Sequence, residues 1–179
     1  MADSELSKMW FMRLLYVCLA LLVLFFQLMP LDTVPRIWAG PDITLALTFA
    51  WVLRRPEYVP PLLVACVLLL GDLLLHRPPG LWAVLVVLGA ETLRARYTGL
   101  RDMTFVAEWV AVASTLAVVT LAYRLVLGLA LVDQAPLGLN LIQVLMTLIA
   151  YPVVVGVSQV LFGVRKRAPG DLDPLGGRI

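Results

Sequence analysis

Runs of apolar residues, separated by prolines and charged residues, follow one another along almost the whole chain. A membrane-spanning helix needs roughly 20 such residues, so the chain has room for about six spans with short connections. Prolines mark several of the predicted boundaries, because proline cannot continue the hydrogen-bond ladder of a helix. The predicted spans cover about residues 13–29, 37–53, 59–76, 81–94, 103–132 and 137–164.

The second predicted span is unusually short. Gly40-Pro41 precedes it and Arg54-Arg55-Pro56 follows it, which leaves about a dozen residues of continuous helix from Asp42. At 1.5 Å per residue that is roughly 18 Å, less than the roughly 30 Å of a hydrocarbon core. A tilted helix, a break at Gly40-Pro41 and a re-entrant loop each fit this length. In the sixth span, Pro152 predicts a kink unless a neighbour satisfies the carbonyl that proline frees.

Composition indicates that the bilayer is the solvent of this chain. Of its 179 residues, 61% are hydrophobic and 15% charged, and the mean hydropathy is +0.94. Soluble domains are about half apolar and a quarter charged. The predicted organisation is a cytoplasmic N-terminal segment (1–12), one transmembrane domain of six helices (13–164) and a disordered cytoplasmic tail (165–179).

The basic residues predict the orientation. The net charge is +2, and the basic groups lie beside apolar runs, which is typical of topology signals and not of nucleic-acid binding. With a cytoplasmic N-terminus, eleven of the fourteen Lys and Arg residues fall on the inner side. Arg36, Arg77 and Arg124 fall on the outer side. This bias predicts that both termini are cytoplasmic and favours a true crossing for the second span.

Polar residues in the outer halves of the spans are the main candidates for a functional site. Ionisable groups in a bilayer are costly and usually face the bundle interior or a cavity. The predicted outer-leaflet cluster comprises Gln27, Asp42, Asp72, His76, Arg124, Asn140 and Gln143.

We hypothesise that Asp42, Asp72 and Arg124 form an ion-pair cluster that lines a polar pocket open to the outside. His76 follows Asp72 by four residues, so the two are expected to pair. Asp42 has an alternative interpretation as a helix N-cap, and both roles are compatible.

On the inner side, the basic residues are expected to contact anionic lipid or a cytoplasmic partner, with lipid contact favoured. These are Arg54, Arg55, Arg94, Arg96, Arg101, Arg165, Lys166 and Arg167. Glu91 and Glu108 are expected to form local ion pairs or helix–helix hydrogen bonds. The five tryptophans, including Trp51 and Trp109, fit interfacial aromatic belts.

The sequence lacks the common motifs of enzyme active sites. It has no phosphate-binding glycine loop, no metalloprotease helix motif and no nucleophile elbow. Cys18 and Cys66 lie inside apolar runs, where cysteine behaves as a small hydrophobe. A non-enzymatic protein without cofactor or metal is therefore predicted.

Several short motifs resemble the proteobacterial form of the MreD family of rod shape-determining membrane proteins. They are Pro41-Asp42-Ile43-Thr44-Leu45-Ala46-Leu47, Leu53-Arg54-Arg55-Pro56-Glu57, Pro60-Pro61, Gly71-Asp72-Leu73-Leu74 and Arg77-Pro78-Pro79-Gly80-Leu81-Trp82-Ala83. The size, the six-span layout and the basic C-terminal end resemble that family too.

The resemblance implies a non-enzymatic subunit of the bacterial inner membrane that takes part in cell elongation. Members of the family associate with the single-span scaffold MreC. Through it they are linked to MreB filaments, to the peptidoglycan synthase RodA and to a class B penicillin-binding protein. The family is similar in fold to the substrate-binding S components of energy-coupling-factor transporters, which are polytopic helical bundles.

Two functions are therefore compatible with the sequence. The first is an interaction protein that grips the transmembrane helix of a partner within the phospholipid bilayer. The second is an S-component-like module that binds a small molecule in an outward-facing polar pocket. Co-purification of a partner supports the first, and a bound small molecule that is lost when Asp72 is neutralised supports the second.

Overall fold

A computed structural model of the chain describes residues 2–29, 39–96 and 104–164, and the regular structure there is entirely helical. This confirms the prediction of an all-α protein. The α-helices within these ranges are α1 (Ala2–Leu28), α2 (Ile43–Arg54), α3 (Pro61–Leu74), α4 (Leu81–Ala95), α5 (Phe105–Leu129) and α6 (Leu137–Phe162), and a 3-10 turn (Pro56–Tyr58) joins α2 to α3. The helix α1 runs through the predicted N-terminal segment 1–12 from Ala2 onward, and the predicted tail 165–179 lies outside the described residues.

Three of these helices are long and apolar enough to cross a membrane: α1 from Glu5 onward, α5 and α6. Within their most hydrophobic windows, only 17%, 22% and 22% of the residues are buried inside the protein. Most of their apolar side chains therefore face outward, which suits a lipid environment. The helices α2 and α3 are apolar but shorter, with 12 and 14 residues.

Consecutive helices run in opposite directions, so the bundle has two distinct ends. At one, the Asp42 end, side chains from all six helices or their caps surround two adjoining cavities; they include Gln27, Asp42, Asp72, Trp82, Tyr123 and Asn140. At the other, the Arg54 end, Arg54 of α2 meets Glu108 of α5, and Arg13 of α1 donates to the backbone carbonyl of Glu57. The helix α2 thus extends from one end of the bundle to the other.

The helix α2 is the innermost element. Its residues from Thr44 to Arg54 are all buried, and α1, α4 and α6 pack around it. Other helices therefore enclose this short helix, and its apolar side chains pack inside the protein. The prediction for Trp51 was wrong: this side chain is 0% exposed and its indole N–H donates to Ser158 Oγ at 3.1 Å. It is a core residue and not part of an interfacial belt.

The helix α6 continues through Pro152 because a neighbouring helix supplies the missing donor. Proline has no N–H for the carbonyl four residues earlier, which belongs to Leu148. That carbonyl accepts a hydrogen bond from the indole Nε1 of Trp109 at 3.0 Å. Trp109 therefore ties α5 to α6 at the point where the ladder of α6 is interrupted.

Substituting Trp109 by phenylalanine is expected to lower the free energy of unfolding by about 1–3 kcal/mol, because the Leu148 carbonyl loses its donor while it stays partly buried. Unfolding in mixed detergent micelles, followed by circular dichroism, measures the change. In a Pro152→Ala background the backbone N–H of residue 152 becomes available to Leu148. There the same substitution should cost clearly less, and equal costs in the two backgrounds would exclude this role for Trp109.

Candidate functional site

The Asp42 end of the bundle contains two adjoining cavities. The larger cavity has a volume of about 150 Å³ and is lined by Asp42, Leu45, Arg77, Trp82, Leu116, Thr120, Tyr123, Asn140, Gln143, Val144 and Thr147. The smaller cavity, about 10 Å³, is lined mainly by α1 and α3 and includes Gln27, Thr44 and Asp72. That volume is about the space one water molecule needs. Of the predicted outer-leaflet cluster, Gln27, Asp42, Asp72, Asn140 and Gln143 line these cavities.

Asp42 is the N-cap of α2. Its Oδ1 accepts a hydrogen bond from the backbone N–H of Leu45 at 3.0 Å, which satisfies one of the free donors of the first turn. Its own backbone N–H donates to Thr147 Oγ1 at 2.9 Å and so joins α2 to α6. The capping interpretation of Asp42 is confirmed.

Asp72 caps a helix other than its own. The side chain is buried, and its Oδ2 accepts hydrogen bonds from the backbone N–H groups of Gly80 and Ala83, both at 3.1 Å. These groups lie in the first turn of α4, where helical N–H groups have no partner within the helix. Gly80 has φ +83°, a left-handed conformation that glycine adopts without strain, and it brings the start of α4 over Asp72.

Arg124 does not take the role that the sequence suggested. Its Nη1 donates to the carbonyl of Ala135 at 3.0 Å, and its own carbonyl accepts from Gln134 Nε2 at 3.0 Å. Arg124 thus closes the connection between α5 and α6. Within residues 2–29, 39–96 and 104–164, no ion pair joins it to Asp42 or Asp72.

His76 also differs from the expectation. The helix α3 ends at Leu74, so His76 has left the helix and adopts φ +55° with its side chain exposed. The i, i+4 relation to Asp72 requires continuous helix, and the described part of the chain shows no hydrogen bond between the two.

Arg77 is the cation that the sequence reasoning missed at this site. It lines both cavities, and its guanidinium lies over the ring of Trp82, 5.5 Å from the centroid. The ring of Trp82 in turn packs edge-on against Tyr123, with centroids 5.1 Å apart. The available signal was position: Arg77 lies in the six-residue connection between α3 and α4, five residues after the buried Asp72.

Replacing Asp72 by alanine is expected to lower the free energy of unfolding by about 1–2 kcal/mol, since α4 loses its cap. The measurement is the midpoint of thermal unfolding in detergent. Asp133→Ala is the matched control, because Asp133 is exposed. A charge swap of Asp72→Arg with Arg124→Asp should not restore stability, and a rescue would reinstate the ion pair between them.

At the Arg54 end, three polar side chains meet in the core. Arg54 Nη1 lies 2.5 Å from Glu108 Oε1, and the hydroxyl of Tyr151 donates to the same oxygen at 2.5 Å. The side chains of Arg54 and Glu108 are 2% and 0% exposed. The expectation that Arg54 contacts lipid was therefore wrong, whereas the helix–helix hydrogen bond of Glu108 is confirmed. Side chains of α2, α5 and α6 thus contact one another through this shared carboxylate oxygen.

Some of the other basic residues form ion pairs, and others are exposed. Arg94 pairs with Glu91 at 2.5 Å, as predicted, and also donates to the carbonyl of Val59. Arg55 lies 3.5 Å from Glu57, and Arg96 is exposed. The remaining predicted contact residues lie outside the described residues; they are Arg101, Arg165, Lys166 and Arg167.

The chemistry available at the Asp42 end is that of binding. Asp42, Arg77 and the amides of Asn140 and Gln143 can form hydrogen bonds with a small polar molecule. In the part of the chain that the structure describes, no three His, Cys, Asp or Glu residues are close enough to share a metal ion. Comparison of the chain with protein-family models, curated proteins and solved structures gave no match.

Proposed function

We propose that this protein is a non-enzymatic subunit of the bacterial cell-elongation complex, and that it binds a single-span scaffold of the MreC type. Through that scaffold it would be connected to MreB filaments, RodA and a class B penicillin-binding protein. The motifs that resemble the MreD family carry the biological part of this proposal. The family's likeness to energy-coupling-factor S components belongs to the same proposal.

The observation that supports a partner-binding role is the outward surface of the long helices. Large apolar side chains are exposed along α1, α5 and α6; examples are Leu14, Phe25, Val118, Leu121, Leu145 and Val153. Several polar groups of the core, among them Asp42, Asp72 and Glu108, instead bind other core side chains or backbone groups. A transmembrane helix of a partner associates with such surfaces through van der Waals packing.

The same proposal includes six spans in the inner membrane with both termini in the cytoplasm. The alternating directions of α1 to α6 fit that topology, and so does the distribution of eleven of fourteen basic residues on one side. Under this orientation the Asp42 end faces the outside of the cell. Arg54, Arg94 and Arg96 then lie toward the cytoplasm.

The proposed role is tested in a rod-shaped bacterium that carries this gene. Depletion should make the cells round, and the tagged protein should co-purify with an MreC-type scaffold. An Asp72→Asn variant should keep the scaffold bound, because the proposed contact is on the outer surface of the bundle. Normal rod shape after depletion, or purification without any scaffold, would contradict the proposal.

A second candidate function is a module that binds a small molecule at the Asp42 end. One specific observation favours it: the larger cavity is lined by Arg77, whose guanidinium has no hydrogen-bond or ion-pair partner among the described residues. This function and the first are compatible, since a bound ligand at that end and a partner on the outer surface would not compete.

A further inference from the structure

The larger cavity contains one charged side chain of each sign, and both retain binding capacity. Asp42 uses Oδ1 for the cap of α2, while its Oδ2 makes no hydrogen bond to any residue in the described ranges. Arg77 is held over Trp82 by a cation–π contact, 5.5 Å from the ring centroid. A cation–π contact is not a hydrogen bond, so the N–H groups of the guanidinium remain available for an acidic group.

Neutral polar groups in the lining of the same cavity can form further hydrogen bonds as well. The hydroxyl of Thr120 is buried without a hydrogen-bond partner among the described residues. The side-chain amides of Asn140 and Gln143 line the same cavity from α6. A buried hydroxyl without a partner costs free energy, so an occupant that supplies a partner is stabilised.

Size and charge restrict what this occupant can be. A cavity of about 150 Å³ holds a molecule of roughly six to ten heavy atoms, since an apolar cavity of about this size binds benzene. A simple anion would meet the carboxylate of Asp42, and a simple cation would meet the guanidinium of Arg77. A molecule with an acidic group and an ammonium group a short distance apart satisfies both.

We propose that the larger cavity binds a small zwitterion of the ethanolamine phosphate type. Its acidic group is bound by Arg77, and its ammonium group is bound by Asp42 Oδ2. The same unit exists free in solution and as the headgroup of phosphatidylethanolamine, so either source supplies the required chemistry. This inference deepens the second candidate function above and is independent of partner binding.

The test uses the full chain in nanodiscs that contain equal amounts of phosphatidylethanolamine and phosphatidylglycerol, followed by native mass spectrometry. The wild-type chain should retain one phosphatidylethanolamine in preference to phosphatidylglycerol. Arg77→Gln and Asp42→Asn should each reduce this retention about tenfold, which is typical for the loss of one charge-assisted hydrogen bond. Asparagine still caps α2, so the second variant keeps the fold.

Arg96→Gln is the matched control, because it removes the same charge from an exposed position outside the cavity and should leave retention unchanged. Added ethanolamine phosphate distinguishes the two sources: displacement of the lipid identifies the free zwitterion as a ligand, and no displacement identifies the lipid headgroup. Equal retention of the two lipids by the wild-type chain, or unchanged retention in Arg77→Gln, would overturn the inference.

The same spectra separate this inference from the proposed functions. A different bound molecule that disappears in Arg77→Gln would refute the zwitterion and leave the ligand-binding function standing. Co-purification of the scaffold, measured on the same preparations, reports on the first function alone.

Discussion

Glu108→Ala is expected to lower the free energy of unfolding by about 3–5 kcal/mol, because the charge of Arg54 would remain buried without its carboxylate. The hydroxyl of Tyr151 would lose its acceptor in the same variant. Unfolding of the purified chain by titration of detergent micelles with dodecyl sulfate, followed by circular dichroism, measures the change.

Glu91→Ala is the matched control for this experiment. Glu91 also lies 2.5 Å from an arginine, but its side chain is 40% exposed, so its loss should cost less than about 1 kcal/mol. A double variant, Arg54→Met with Glu108→Gln, removes both charges and keeps an acceptor for Tyr151. It should be more stable than Glu108→Ala. If Glu108→Ala costs no more than Glu91→Ala, burial of the ion pair is not what stabilises this end.

Trp51→Ala is expected to lower the free energy of unfolding by a similar amount, about 3–5 kcal/mol, because it removes the largest fully buried side chain of the described residues and leaves a cavity beside α2. The ring contacts Tyr16, Tyr58 and Phe162, with centroids 5.8 to 6.4 Å apart, so three other elements lose packing at once. Thermal unfolding in detergent, followed by circular dichroism, gives the measurement.

Trp10→Ala removes the same side chain from an outward position that is 62% exposed, and it should change stability little. Trp51→Phe should fall between the two, since it keeps most of the packing but loses the hydrogen bond to Ser158. Similar losses for Trp51→Ala and Trp10→Ala would mean that α2 is not the packed centre of the bundle.

Local signals predicted much of the helical framework. The position of Asp42 before an apolar run predicted a helix cap. Gly40-Pro41 before α2 and Arg54-Arg55-Pro56 after it predicted a helix of about a dozen residues. Glu91 and Arg94 are three residues apart, so their pairing follows from the helical repeat. In each case the decisive neighbours are close in the sequence.

The burial of Arg54 was not predicted, because it depends on a residue far away in the sequence. Arg54 and Arg55 are adjacent and chemically identical, yet Arg54 is buried because Glu108, 54 residues later, lies beside it. The count of Lys and Arg residues on each side of the predicted spans treats both arginines as topology signals. Glu108 is an ionisable residue in an apolar helix, and such a residue usually has a partner of opposite charge. Its spacing in the sequence did not identify Arg54 as that partner.

The candidate site was predicted in part for the same reason. Depth in the membrane brought Gln27, Asp42, Asp72, Asn140 and Gln143 together correctly. It did not reveal that Asp72 Oδ2 accepts hydrogen bonds from the backbone N–H groups of Gly80 and Ala83, with no ion pair to Arg124 among the described residues. Arg77 was counted as an outer-loop charge, although its place beside Trp82 puts it in the cavity wall.

We propose that a partner helix packs against the outward surface of the long helices. Photo-crosslinking in native membranes detects this contact, with one photoreactive residue placed at a time. Outward positions are Leu14, Phe25, Val118, Leu121, Leu145 and Val153, and the buried controls are Ala20, Leu116 and Val155. We expect crosslinks to a single-span scaffold from outward positions of at least one long helix and none from the controls. Absence of such crosslinks from every outward position would contradict the claim.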